Sequence, residues 1–126
     1  MSVVIDSSAV LAFVFEEPGG EVAFAYARHA LLSAVNLDEV LHKALRQNIA
    51  CADVLAQLDR LQMQIVPFDD IDAQRTASLH APLHRSKISF ADRACLALAI
   101  ERGLPVVTAD TDWLKLDLGL DIRLIR

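Results

Sequence analysis

The chain has 126 residues, with 12 Lys and Arg against 17 Asp and Glu and a net charge of −5. That length fits one domain over residues 1–126, able to bury about two thirds of its unfolded surface. The acidic balance excludes a broad basic face gripping duplex DNA through its phosphates, and the lack of an uncharged apolar run of about 18 residues excludes a spanning helix. Nucleic-acid chemistry at a local site stays open, because clustered carboxylates alone can make the total acidic.

Met1 leads directly into an apolar strand, with no cationic segment ahead of an apolar one, so a cytoplasmic protein without a secretory signal is expected. The β-branched run Val3-Val4-Ile5 stops on Asp6-Ser7-Ser8, a buried strand delivering an acid at its carboxyl end. A short buried helix is expected from Ala9 to Phe15, then a turn at Glu16-Glu17-Pro18-Gly19-Gly20 and helix again from Glu21 to Arg28. Leu31 to Val35 reads as a second strand. Leu37, Val40, Leu41, Ala44 and Leu45 then recur at helical spacing, with Asn36, Glu39 and Lys43 on another face. Cys51 to Leu61 is a further amphipathic helix, Gln64 to Phe68 a strand, and Asp69-Asp70-Ile71-Asp72 opens a helix whose first-turn acids complement its dipole.

Pro82 is expected to interrupt that helix, and a loop carrying His84, Arg85 and Lys87 follows. Ser89 to Glu101 is the most apolar helix, with Asp92 and Arg93 its only charges before Glu101. Val106-Val107-Thr108 is a strand, Ala109 to Trp113 a brief helix, and Leu120 to Ile125 a last strand. Alternating strands and helices indicate a three-layer α/β/α domain with a central, mainly parallel sheet of about five strands. Cys51 and Cys95 lie on apolar helical faces and read as buried free thiols.

Four acids share a setting. Asp6 follows strand one, Glu39 follows strand two, Asp92 opens a helix and Asp110 follows strand four. Each also has a structural explanation: Asp6 is a favoured N-cap residue, while Asn36-x-x-Glu39 and Ser89-x-x-Asp92 both resemble capping boxes. Parallel strands nevertheless bring these positions to one edge. Two carboxylates about 5 Å apart repel by about 3 kcal/mol at an effective dielectric of about 20, so crowding four of them calls for a divalent cation. Hard oxygen donors in an incomplete cage suit Mg²⁺ or Mn²⁺.

Val4-Ile5-Asp6-Ser7-Ser8-Ala9-Val10, Ser33-Ala34-Val35-Asn36-Leu37-Asp38-Glu39-Val40, Ser89-Phe90-Ala91-Asp92-Arg93-Ala94-Cys95-Leu96-Ala97 and Pro105-Val106-Val107-Thr108-Ala109-Asp110 resemble, in order and spacing, the acidic motifs of PIN-domain ribonucleases. The similarity is closest to the VapC-type toxins of toxin–antitoxin pairs. The resemblance implies a metal-dependent endoribonuclease, with Asp6, Glu39, Asp92 and Asp110 as catalytic metal-site acids, Ser8, Asn36 and Thr108 as their hydrogen-bonding supports, and Asp112 as a substitute or helper for Asp110. It also implies cleavage leaving a 5′-phosphate and a 3′-hydroxyl, a homodimer, and a cognate VapB-like antitoxin whose apolar helix docks near the amino terminus, where Phe13, Phe15, Phe24 and Tyr26 could form a groove or simply core. Asp38 beside Glu39 departs from the pattern, but its helical angle points it elsewhere.

Lys43, Arg46, Arg85 and Lys87 are candidate phosphate contacts; for Lys43 a pair with Glu39 competes. Arg93 points about 100° around its helix from Asp92 and suits structure or a subunit contact. His80 and His84 have i, i+4 spacing but are separated by Pro82, a poor zinc set. Two other readings compete. A receiver-like signalling domain would need an acidic pair after strand one and a Lys after strand five, where this chain has a single Asp6 and ends on Arg126, although Asp69 or Asp70 could mimic its phosphoacceptor. A catalytically inactive PIN scaffold is disfavoured by the presence of all four acids.

Overall fold

The structure, a computed structural model, describes residues 2–126. Five short strands, β1 (Val4–Ile5), β2 (Leu31–Ser33), β3 (Gln64–Val66), β4 (Val106–Thr108) and β5 (Ile122–Leu124), form one sheet of order β3-β2-β1-β4-β5. Every neighbouring pair is parallel. The expected α/β/α arrangement therefore holds, with an all-parallel sheet.

The layers follow from the two-residue period of the strands. Val4, Leu31 and Val106 face one core with Leu96, Cys95 and Trp113, while Ile5, Leu32 and Val107 face the other with Val10, Val40 and Val54. On that second side lie α1 (Ser7–Val14), α2 (Gly20–Ala27), α3 (Ala34–Arg46) and α4 (Cys51–Arg60). The first side is covered by α5 (Asp70–Ser78), α6 (His80–Leu83) and α7 (Phe90–Arg102). A Cβ on Gly20 would come within 2.5 Å of the Ala12 carbonyl oxygen, so glycine there lets α2 lie tightly on α1.

Several boundaries differ from expectation for local reasons. α1 starts at Ser7, two residues before Ala9, because Asp6 already occupies the N-cap position. β2 ends at Ser33 and α3 begins at Ala34, since the Ser33 hydroxyl accepts from the Val35 N–H and caps the helix. The helix opened by Asp69 ends at Ser78, short of Pro82 as expected; Pro82 itself sits inside α6, a separate single turn whose early N–H groups have no intrahelical acceptor in any case. Cys95 is buried, whereas Cys51, in the first turn of α4, is only half-buried; both are free thiols.

The strand order changes direction between β1 and β4: β2 and β3 lie to one side, β5 to the other. In an open parallel sheet, the crevice at the carboxyl ends of such a pair is the natural ligand site.

Candidate active site

Asp6 stands at that crevice. Pairing of Ile5 with Val107 carries Asp6 and Thr108 out of the sheet side by side, and the Asp6 N–H donates to the Val107 carbonyl at 2.9 Å. The Asp6 backbone fills the N-cap position of α1, its carbonyl accepting from Ala9 and Val10, but its carboxyl caps no N–H. Instead Oδ2 accepts from the Ser8 hydroxyl at 2.6 Å and the Thr108 hydroxyl at 2.9 Å. Each hydroxyl in turn accepts from a backbone N–H beyond β4, Ala109 to Ser8 at 3.0 Å and Asp110 to Thr108 at 3.1 Å. With the backbone donors fixed, both hydroxyl protons point at the carboxylate. Oδ1 has only a 3.5 Å contact from the Ser7 hydroxyl.

Asp92 and Asp110 arrive at helix N-termini and Glu39 in the second turn of α3. Because Ser33 is the cap of α3, the expected Asn36–Glu39 capping box does not form. Asn36, fully buried, instead donates from Nδ2 to the Ala91 carbonyl at 3.0 Å, tying α3 to the first turn of α7. Its Oδ1 is buried with no protein partner. Glu39 is free of any capping duty and accepts a hydrogen bond from the Ser7 hydroxyl. The Ser89–Asp92 capping box does form, with Asp92 Oδ2 accepting from the Ser89 N–H at 3.2 Å and the Ser89 hydroxyl accepting from the Asp92 N–H at 3.1 Å. Asp110 accepts from the Asp112 N–H at 2.9 Å and caps a 3-10 turn, Thr111–Lys115.

These carboxylates feel one another. Burial pushes the Asp6 carboxyl up to about 6; the Ser8 and Thr108 hydrogen bonds oppose this, and the charges of Asp92 and Glu39 add to it. Asp92 is also raised, first by burial, against its Ser89 bonds, and then by Glu39 and Asp110. Cys95, one turn into α7 from Asp92, is fully buried and pushed well up by burial and by Asp6, Asp92 and Glu39, which leaves it an inert thiol. Among the described residues, no ion pair gives any of the four acids a Lys or Arg partner.

A hard divalent cation is the counter-charge such oxygen donors accept. Among the described residues, no three His, Cys, Asp or Glu side chains stand close enough to cage an ion unaided. An ion bound here would therefore keep most of its waters and take one or two carboxylates directly.

The remaining residues sort by position. Asp112 is exposed and paired with Lys115 at 3.3 Å, and its charge is not among those that shift Asp6 or Asp92. Asp38, Lys43 and Arg46 are exposed on α3. Arg93 is held over the Phe90 ring, 6.0 Å from its centroid, rather than over the acids. The His80 and His84 rings come within 6.5 Å across α6, but among the described residues the pair has no third ligand, and His84 Nδ1 already engages the Ala81 carbonyl. Ser7 was not expected at the site; its only signal in the sequence is adjacency to Asp6.

Residues 3–118 match the family profile described as PIN domain. The chain belongs to the PIN domain family. Among solved structures, this PIN chain is similar to a DNA-bound VapBC from Salmonella typhimurium, at 19% identity and TM-score 0.74, covering 100% of this chain and 99% of that one. It is similar to Mycobacterium tuberculosis VapC20, a sarcin-ricin loop cleaving toxin, at 16% identity and TM-score 0.75 over 96% and 98% of the two chains. VapBC-5 from the same organism, a member of the VapBC toxin–antitoxin family, has 26% identity and TM-score 0.61 over 99% and 98%. Comparison with curated protein sequences finds no match.

Proposed function

We propose that this PIN domain is a metal-dependent endoribonuclease, the toxin of a VapBC-type pair, acting as a single domain in the cytoplasm. One observation carries the reading: a 3% exposed carboxylate, Asp6, lies at the strand-order switch and feels Asp92 and Glu39, Asp92 in turn feels Asp110, and among the described residues no Lys or Arg pairs with any of them. A receiver-like domain has no use for Glu39 in that position.

In this reading Asp6, Asp92, Asp110 and Glu39 would surround a hydrated Mg²⁺ or Mn²⁺, one or two of them as direct ligands and the others through its waters. The bound ion supplies Lewis acidity toward the phosphodiester and activates water for its hydrolysis. The chain's own part is orientation. Ser8 and Thr108 lock one oxygen of Asp6, so the other is presented to the crevice without a close protein donor. Ser7 fixes Glu39, and Asn36 braces α3 against the turn that carries Asp92, so the two helix-borne acids keep their places relative to the sheet. The buried, unpartnered Asn36 Oδ1 is positioned to accept from an ordered water.

The antitoxin would use the amino-terminal helices. Phe13 is buried and Phe24 is 47% exposed, their rings edge to face at 5.7 Å, and with Gly20 and Glu16, Glu17 and Glu21 they line a cleft of about 430 Å³. An apolar floor with an acidic rim fits an amphipathic helix bearing cations. The family resemblance adds a homodimer.

The purified chain should cut RNA with Mg²⁺ or Mn²⁺, stop on chelation, and lose cleavage on Asp6→Asn while remaining folded. Mapping RNA 5′ ends after induced expression, with Asp6→Asn as control, identifies the target. Undiminished cleavage by Asp6→Asn would overturn the assignment.

A further inference from the structure

A second feature adjoins the acids, on a protein whose net charge of −5 should repel RNA. The loop between α6 and α7 and the 3-10 turn Thr111–Lys115 enclose a cleft of about 240 Å³. Arg85, Lys87 and Lys115 line it, along with Ile88, Leu116 and a single acid, Asp112. The two walls are the segments that deliver the proposed metal ligands: the loop runs into Asp92 at the start of α7, and the turn is capped by Asp110. The cleft thus lies between the two segments that lead to Asp92 and away from Asp110, and its lining carries two more positive charges than negative ones.

We infer that this cleft binds one phosphate and the adjoining nucleoside of a single-stranded RNA as the strand leaves the acids, with Arg85, Lys87 and Lys115 taking the phosphate and Ile88 and Leu116 facing the sugar or base. The inference rests on the endoribonuclease reading above. Cations answer the phosphate, and apolar walls suit the exposed face of an unstacked base. The Lys115–Asp112 pair does not block this: at 3.3 Å, with both side chains largely exposed, it is an exchangeable surface pair that a phosphate displaces. Lys115 stands 28 residues beyond Lys87 in the chain, so only the fold brings them to one cleft.

The test is binding of a fluorescent single-stranded RNA by the full chain, with divalent ions chelated so that the strand is not cut, across a series of salt concentrations. Each phosphate that the protein neutralises contributes about 0.7 to the slope of log affinity against log salt for a single strand. The combined Arg85→Gln, Lys87→Gln, Lys115→Gln variant, which empties the one phosphate site, should then lose about 0.7 from the slope, and with Mg²⁺ restored its cleavage should show a raised KM more than a lowered kcat. Arg28→Gln with Arg60→Gln, exposed cations flanking the opposite ends of β2 and β3, is the comparison and should leave the slope unchanged. An unchanged slope in the triple variant, or an equal loss in the comparison variant, overturns the cleft while wild-type cleavage still upholds the nuclease. A wild-type chain that binds RNA in the cleft-dependent manner yet cuts none overturns the nuclease and keeps the cleft; a chain that neither binds nor cuts overturns both.

Discussion

α5 and α7 begin alike. Asp69 and Ser89 are N-caps whose side chains accept from the N–H groups of Asp72 and Asp92, and both of those carboxylates accept back from the N–H of their cap residue. At α5 the motif meets cations: Arg75 lies 3.6 Å from Asp72 and 3.2 Å from Glu101, and the Asp69 carboxyl is held below its usual range, chiefly by the Asp72 N–H. At α7 equivalent hydrogen bonds also lower Asp92, yet burial, Glu39 and Asp110 outweigh them and the carboxyl is raised. The same local pattern is relaxed in one place and frustrated in the other. Frustration of this kind persists when something outside the chain relieves it, and that separates the acid proposed to bind metal from the acid that only caps.

The contrast is broken most directly by converting each carboxylate to an amide, which keeps an oxygen for the cap N–H and removes the charge. Asp92→Asn should reduce RNA cleavage by about 10³-fold, the equivalent of several kcal/mol of lost transition-state stabilisation, with no loss of thermal stability in metal-free protein. Asp72→Asn should cleave as the wild type does. Equal cleavage by the two variants would mean that α7 carries no more than a second cap.

A smaller effect lies in the pH dependence of the metal-free chain. The Asp6 carboxyl rises from 3.8 to about 6 on folding, so the folded state holds its proton more tightly than the unfolded chain does. No penalty exists below pH 3.8; it grows as pH climbs through the window and is complete above about 6, at about 3 kcal/mol. Denaturant unfolding with chelator should therefore show stability falling between about pH 4 and 7, and Asp6→Asn should remove the Asp6 share of that fall and leave the part contributed by Asp92, which is also raised. A wild-type profile that rises across the window would contradict the burial of an unneutralised charge, and saturating Mg²⁺ at pH 7 should restore what was lost.

Thr108→Val sharpens the sheet side of the site. It strands the Asp110 N–H and takes one of the two close donors from Asp6, which should cost about 2 kcal/mol. The Asp6 carboxyl would rise further, moving the acid limb of the cleavage profile to higher pH. A stability loss with an unmoved limb would leave Thr108 a structural residue only.

Why the sequence showed some of this and hid the rest is visible at particular residues. Val3-Val4-Ile5 and Val106-Val107-Thr108 declare strands by composition, and the acids after them fall at one edge because parallel strands share a direction. Their four-motif order was enough to suggest a PIN domain, which the family match bears out. What stayed hidden depends on choices between equivalent local partners. Ser33 and Asn36 are both competent caps, and Ser33 won; that released Asn36 to brace α7 and Glu39 to meet Ser7. The approach of Lys115 to Lys87 is equally invisible, since nothing in a linear pattern records which loop closes on which turn.

The gentlest probe removes the reciprocal carboxylate of each capping box. Asp72→Ala takes away a capping carboxylate and its link to Arg75, and by the usual worth of such a cap should cost about 1 kcal/mol, lowering the melting temperature by about 4 °C. Asp92→Ala likewise removes one bond, from the Ser89 N–H, while the Ser89 hydroxyl keeps the N–H of residue 92; it also lifts a charge from beside Glu39 and Asp110, so in metal-free protein its loss should be smaller than that of Asp72→Ala. Adding Mg²⁺ should then reverse the order, because wild-type and Asp72→Ala protein keep the complete acidic site and gain stability from the ion, whereas Asp92→Ala gains less. Thermal melts of both variants with and without Mg²⁺ read this directly. If Asp92→Ala is the more damaging in chelator, the capping role of Asp92 exceeds the repulsion it causes, and α7 is closer in kind to α5 than its electrostatics imply.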